Sequence, residues 1–213
     1  MMHKKGNTTA YREALRVKIL ELASPFFKKN GISAVKMDDI ANELGISKRT
    51  IYELYSNKED LLFECVKHDS LKAQKLMTDY AAVAENEMDL LAYGLKMKLE
   101  DIEQINPCFL ESIHKYPKIV DFINHTKIEQ SLESNKLIKR CVDKGFFMED
   151  INYDILYKLT DAMVACVMQS RLYQQFSLKE IFLTIITVHI RGCCTKVGID
   201  YLNKYVEKFK APQ

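Results

Sequence analysis

Apolar residues recur every three or four positions along most of the chain, and this spacing predicts an all-α protein. Gly (7) and Pro (4) are too few for the many turns of a β-rich chain, which supports the helical class. The first helix is predicted over about residues 10–30, where Pro25 should cause a local bend and Asn30-Gly31 should end the helix. Further helices are predicted over about 58–84, 87–105, 108–115, 118–144, 153–174, 178–194 and 198–210.

Residues 37–58 predict two short helices that meet at Gly45. Gly45 suits the left-handed conformation that ends many helices, because glycine has no Cβ to clash there. Ser47 is suited to cap the next helix by accepting a hydrogen bond from the N–H of Thr50. One common apolar cluster is expected from Ile40, Ala41, Leu44, Ile46 and Ile51. This arrangement is typical of a helix-turn-helix, whose second helix can enter the major groove of DNA.

The second of these helices carries residues that can bind nucleic acid. Lys48 and Arg49 can contact phosphates or the guanine edge, and the hydroxyls of Thr50 and Tyr52 can contact phosphates. Tyr55 and Lys58 are two further candidates. Tyr55 could instead belong to the core. Lys58 lies at the start of the next helix, where the free N–H groups favour a bound anion. Taken alone, the pattern could also describe a solvated, charged helix face.

The charge of the chain is unevenly distributed. Residues 1–58 carry a net charge of +5 and the remaining residues −3, although the whole chain has only +2. This asymmetry indicates a polyanionic partner for the N-terminal part alone. We therefore predict a DNA-binding domain over residues 1–57, opened by a flexible basic arm that includes Lys4 and Lys5, and a C-terminal helical domain over 58–213.

The C-terminal part offers less specific signals. Residues 181–190 are apolar nearly all round, so this helix should lie either at the centre of a bundle or at an interface between subunits. Aromatic, Met and Cys side chains could line a ligand pocket, although such residues at helical spacing more often form core. The candidates are Phe109, Phe122, Cys141, Phe147, Met163, Cys166 and Tyr173.

The sequence contains no motif for catalysis, and we expect no catalytic residue, cofactor or metal site. The five histidines are scattered without metal-ligand spacing, and the six cysteines include no C-x-x-C pair. Buried thiols in a reducing cytosol are therefore expected, and a redox role for Cys193 and Cys194 stays open. Without a secretory signal or an apolar run long enough to span a bilayer, we expect a cytoplasmic protein with no membrane partner.

Residues 10–66 resemble the N-terminal domain of TetR/AcrR-type transcriptional regulators. The match runs from Asp39-Ile-Ala through Gly45-Ile-Ser and Thr50-Ile-Tyr52 to Lys58 and Leu61-Leu62. The resemblance implies that Thr50 and Tyr52 contact DNA, that Lys58 anchors a phosphate, and that Lys48 and Arg49 read bases. Lys36 departs from the family, which usually caps this helix with Thr or Ser. A lost cap costs about 1 kcal/mol, and Lys36 could bind a phosphate instead.

The resemblance also implies a C-terminal ligand-binding bundle whose last two long helices form a homodimer interface. We assign Met163, Val167, Ile181, Ile185 and His189 to that interface. The predicted function is a transcriptional repressor that binds a palindromic operator in double-stranded DNA and is released by a small molecule. The alternatives are a ligand-independent dimeric DNA-binding module and, with no catalytic residues to support it, a helical enzyme.

Overall fold

A computed structural model describes the backbone of residues 3–210 and the side chains of residues 10–205. The fold is all-α, as predicted, and these residues contain no β-strand beyond one isolated bridge between Phe147 and Cys194. The helices are α1 His3–Asn30, α2 Met37–Glu43, α3 Lys48–Leu54, α4 Lys58–Ala81, α5 Glu87–Glu103, α6 Pro107–Ile113, α7 Pro117–Asp143, α8 Tyr153–Gln169, α9 Leu178–Cys193 and α10 Lys196–Lys210.

Three predicted boundaries need correction. Helix α1 begins at His3 rather than near residue 10, so the predicted arm is helical from His3, while the side chains of Lys4 and Lys5 lie outside the described residues. Helix α8 ends at Gln169, because Arg171 adopts a left-handed conformation and a short 3₁₀ turn follows. Helix α10 begins at Lys196 rather than near residue 198.

The chain forms two compact units, residues 1–72 with 104–124 and residues 73–103 with 125–213. The chain passes from one unit to the other within α4, after α5 and within α7. By packing, residues 58–72 and 104–124 thus belong with the N-terminal helices. The predicted division at residue 57 stays a prediction about where the functions lie.

The first unit has its core between α1 and the short helices. The buried residues include Ile19, Phe27, Ile40, Ile51, Leu61, Leu62, Phe109 and Ile119. At the end of α1, Asn106 donates its backbone N–H to the Lys28 carbonyl at 2.8 Å and its side-chain amide to the Lys29 carbonyl at 3.2 Å. The ammonium of Lys28 lies 2.8 Å from the carboxylate of Asp69 on α4, which also accepts the hydroxyl of Ser24 at 2.5 Å. Both α4 and α6 are therefore tied to the end of α1.

The second unit has a separate core of α5, α7, α9 and α10 residues. It consists of Met88, Ala92, Cys141, Phe146, Phe147, Cys193, Cys194, Leu202 and Tyr205. Backbone hydrogen bonds join the loop after α7 to the loop after α9, from Met148 N–H to the Cys193 carbonyl and from Thr195 N–H to the Phe146 carbonyl, each 2.9 Å. Helix α8 contributes no buried residue. No helix in the described part of the chain is long and apolar enough to cross a membrane.

We predict that Gly198→Ala destabilises the protein by about 1–3 kcal/mol, because the added methyl would overlap the backbone carbonyl of Phe146. Gly192→Ala is the matched control, since nothing lies within 4 Å of the place that its new methyl would occupy and alanine is the better helix former. Urea unfolding of the two variants measures the difference. Equal midpoints would show that the first turn of α10 can move away from Phe146 at little cost.

Candidate nucleic-acid interface

Helices α2 and α3 meet at the predicted glycine turn. Gly45 has φ +64°, and the N–H of Ile46 donates to the Ala41 carbonyl at 2.9 Å, which closes the end of α2. Ser47 then caps α3, because its hydroxyl oxygen accepts the N–H of Thr50 at 3.0 Å. Both the turn and the cap confirm the sequence prediction.

The inner side of this pair of helices is buried. Ile40, Ala41 and Ile51 are each at most 1% exposed, and Leu44 and Ile46 pack against the same core. The buried side of α3 thus fixes the opposite side toward solvent, where Lys48, Arg49 and Tyr52 are exposed.

The two cations on the exposed side of α3 are paired with carboxylates. Lys48 Nζ lies 2.8 Å from Asp38 Oδ2 on α2, and Arg49 Nε lies 2.8 Å from Glu53 Oε1 one turn further along α3. The hydrogen bond to Asp38 raises the pKa of Lys48, and the hydrogen bond from Arg49 lowers the pKa of Glu53. Both pairings therefore favour the charged forms of Lys48 and Glu53.

Hydroxyl groups complete this surface. The Thr50 hydroxyl lies 2.8 Å from the hydroxyl of Ser47, and Tyr52 is 43% exposed with the Lys48 ammonium 5.9 Å from its ring centre. The exposed Lys36 precedes α2, and its backbone N–H donates to the carboxylate of Asp39 at 3.0 Å. This is one of the two hydrogen bonds of a capping box, the one from the backbone N–H before the helix to the side chain of its third residue. The Lys36 side chain takes no part in it and lies exposed at the surface.

Tyr55 does not belong to the exposed surface, although it was predicted as a DNA contact. Its ring is 4% exposed and lies in the core, where the guanidinium of Arg16 is 5.5 Å from the ring centre. The hydroxyl donates to the Arg16 carbonyl at 3.4 Å, and burial raises the pKa of Tyr55 to about 12. The alternative interpretation of Tyr55 as a core residue is the one that the structure supports.

Lys58, predicted as a phosphate anchor, has backbone partners. Its half-buried ammonium donates to the carbonyls of Ile32 at 2.8 Å and Val35 at 3.1 Å. These carbonyls belong to the loop between α1 and α2, so Lys58 holds that loop against the start of α4. One of the three ammonium donors is left for another acceptor.

The predicted ligand residues are divided between the two units. Phe109 is buried in the first unit, where Phe122 packs edge-on against Phe63 with ring centres 5.6 Å apart. The other candidates belong to the second unit, where Cys141 and Phe147 are core residues, Tyr173 is half-buried, and Met163 and Cys166 are exposed. An open depression beside Val142 and Thr195 includes just one of them, Phe147.

The predicted interface residues lie on α8 and α9. Met163 is exposed, Ile181 is buried, and Val167, Ile185 and His189 are half-buried. Residues 181–190 are not buried on every side within the chain, because Leu183 is 40% and Val188 67% exposed. Further exposed apolar side chains on α8 are Ile155, Leu159 and Val164. Of the two sequence interpretations of this segment, the interface between subunits is the better match to these exposures.

Metal binding and thiol chemistry find little support. Within the described residues, no group of three or more His, Cys, Asp or Glu side chains could hold a metal ion. Cys193 and Cys194 are buried, and burial raises the pKa of both thiols, that of Cys194 to about 11. Both are therefore protonated thiols at neutral pH, which is the less reactive form.

Three further charged side chains belong to this surface and were not predicted from the sequence: Arg12, Asp38 and Glu53. Arg12 lies 3.9 Å from the second carboxylate oxygen of Glu53. The spacing of Arg49 and Glu53 by four positions is a readable signal of a helical ion pair. Asp38 lies ten positions from Lys48, so this pair depends on the crossing of two helices.

Comparisons with known proteins agree with this geometry. The family described as "Bacterial regulatory proteins, tetR family" matches residues 19–65. An HTH-type transcriptional regulator of Staphylococcus aureus (strain bovine RF122 / ET3-1) is 30% identical over 90 residues, which are 40% of this chain and 49% of the relative. A regulator of strain USA300 is 29% identical over 90 residues, with the same coverage of 40% and 49%. The chain thus spans about half the length of the curated relatives that it matches.

Solved structures show the same fold over most of the chain. A TetR family regulator from Agrobacterium tumefaciens has a TM-score of 0.69 at 14% identity, covering 86% of this chain and all of that one (100%). A transcriptional regulator from Saccharomonospora viridis in complex with choline has a TM-score of 0.64 at 21% identity, covering 92% and 96%. The fatty acid degradation regulator FadR from Bacillus halodurans has a TM-score of 0.61 at 14% identity, covering 82% and 94%.

We predict that Lys58→Ala lowers the stability of the first unit by about 1–3 kcal/mol, because two backbone carbonyls lose a charged donor. Lys36→Ala is the control and should change stability by less than about 0.5 kcal/mol, since its side chain is exposed. Urea unfolding followed by circular dichroism checks both. An unchanged midpoint for Lys58→Ala combined with weaker DNA binding would assign the ammonium to a phosphate instead.

Proposed function

We propose that the protein is a DNA-binding transcriptional regulator, since residues 19–65 match the family described as "Bacterial regulatory proteins, tetR family". In this proposal it acts in the cytoplasm as a homodimeric repressor on a palindromic operator and is released by a small molecule. The observation that carries the proposal is the solvent-facing side of α3, where cations and hydroxyls are presented over a buried Ile51.

The exposed residues divide into two roles on DNA. Lys48 and Arg49 have exposed side chains on α3 and read base edges, since Lys and Arg pair with the O6 and N7 atoms of guanine. Thr50, Tyr52 and Lys36 contact phosphates and set the register of α3 in the major groove. Lys58 contributes mainly by holding the loop before α2, with one donor left for a phosphate.

Dimerisation is supported by the exposed apolar residues of α8 and α9. A helix that buries none of its side chains within the chain gains stability from a partner that covers its apolar side. Two copies related by a two-fold axis would each cover the other and present two α3 helices to the two halves of a palindrome.

Control by a ligand is supported by the connections at the end of α1. Helix α4 runs unbroken from Lys58 to Ala81, so its residues belong to both compact units. Within the first unit, Asp69 of α4 and Asn106 before α6 both contact Lys28. A ligand that shifts α4 or α6 would act on α1, and through its core on α3, by its differential affinity for two conformations, about 1–3 kcal/mol in typical cases.

A second function is favoured by one observation. The aromatic, Met and Cys candidates for a ligand pocket are dispersed over both units and include core residues. This dispersion suits a dimeric DNA-binding module without an effector, in which the second unit serves dimerisation alone. Operator affinity that stays constant across a library of small molecules would favour this alternative.

Phosphate and base contacts predict different effects on DNA binding. Lys36→Ala should weaken binding to all duplexes alike and reduce the slope of log K against log salt concentration by about one unit. Arg49→Ala should instead change which bases are preferred. Fluorescence anisotropy with specific and random duplexes at several salt concentrations measures both effects.

The control for these variants is Lys139→Ala, an exposed lysine of α7 in the second unit. It should leave both affinity and salt slope unchanged. If wild-type protein binds no duplex above the level of an unrelated protein of equal charge, the DNA-binding proposal is wrong.

Dimerisation through α8 and α9 predicts that Val188→Glu yields monomers. A charge placed in the apolar interface would be buried without a partner, which should raise the dimer dissociation constant by about 100-fold or more. Val83→Glu is the matched control, because Val83 is 74% exposed but lies between α4 and α5. Light scattering after size exclusion gives the masses, and a dimeric Val188→Glu protein would place the interface elsewhere.

A further inference from the structure

We infer that Arg49 and Glu53 act as one unit that reads a single G·C base pair, with Glu53 as a specificity-determining residue. The inference rests on the proposed DNA-binding function and adds to it the base pair that this part of α3 selects. It assigns a role to a carboxylate on a surface that otherwise would be expected to favour cations.

The geometry joins the two side chains while leaving them accessible. Arg49 Nε lies 2.8 Å from Glu53 Oε1, and the two side chains are 87% and 45% exposed. This contact uses one of the five guanidinium N–H donors, so the terminal N–H groups remain for a base. The second oxygen of Glu53 lies 3.9 Å from Arg12, so cations on α1 and α3 hold the carboxylate from two sides.

Arg49 offers donors and Glu53 offers an acceptor, and this order matches the major-groove edge of a G·C base pair. In the major groove, a G·C pair presents the N7 and O6 acceptors of guanine and then the N4 amino donor of cytosine. Arg49 can donate to both guanine atoms while Glu53 accepts from the neighbouring cytosine amino group. An A·T pair presents acceptor, donor and acceptor with a methyl group, so the same two side chains cannot satisfy it together.

The carboxylate also penalises wrong contacts. A glutamate that enters the groove without a donor opposite it loses its hydrating water and is repelled by the partial negative charge of the acceptor atoms on the bases. Since the phosphates are negative as well, Glu53 weakens binding to DNA wherever a cytosine amino group is missing. Rejection of other sequences through an unsatisfied charge is a recognised route to specificity.

The test is selection of bound duplexes from a pool with random sequence, carried out with wild-type protein, Glu53→Gln and Glu53→Ala. Wild-type protein should enrich sites with a G·C pair at one position of each half-site. Glu53→Ala should lower the preference for that pair about tenfold, as expected for the loss of one base contact. Glu53→Gln keeps an acceptor oxygen and should lower the preference less, and both variants should bind random duplexes more tightly because the negative charge is removed. Glu129→Gln, an exposed carboxylate of α7, removes the same charge outside the first unit and should leave the selected site unchanged.

The outcomes separate this inference from the proposed function. If wild-type protein enriches a site and the Glu53 variants enrich the same site with the same base preferences, DNA binding stands and the inference is wrong. If wild-type protein enriches no site at all, both are overturned. Circular dichroism of each variant confirms that the helices are intact, so a changed preference cannot be attributed to unfolding.

Discussion

The placement of α3 depends on the burial of Ile51 against Ile40 and Ala41. A helix of seven residues is too short to be stable in water, so α3 obtains its structure from its cap and from this packing. The same packing decides which side chains face solvent. The ammonium of Lys58 donates to two carbonyls of the loop before α2, and so helps to hold α2, against which α3 packs. The proposed base contacts of α3 therefore depend on apolar residues that are themselves buried.

Much of the fold could be predicted because its signals are local. Gly45 and Ser47 act on residues within a few positions, and both the turn and the cap form as the sequence indicates. The role of Lys58 could not be predicted in this way, because its acceptors lie 26 and 23 positions earlier in the chain. Tyr55 shows the same limit, since an aromatic residue at the end of a helix suits both the core and the surface. Which one it occupies depends on how α1 packs.

The C-terminal part was less predictable because periodicity reveals an apolar side without revealing what covers it. Phe109 and Met163 are both apolar residues of predicted helices, yet Phe109 is buried within the first unit and Met163 is exposed. A ligand pocket also depends on the absence of side chains from a space, which no spacing of residues can encode. The architecture of this part follows from its helices, whereas its chemistry depends on packing between distant segments.

The exposed apolar side of α8 has a consequence for the life of the protein in the cell. In the proposed homodimer the second copy covers the apolar side of α8, and a chain that has not yet paired exposes it. Exposed apolar surfaces are recognised by chaperones and proteases, so unpaired chains should be degraded faster than paired ones. The amount of protein in the cell should then rise more than in proportion to its rate of synthesis.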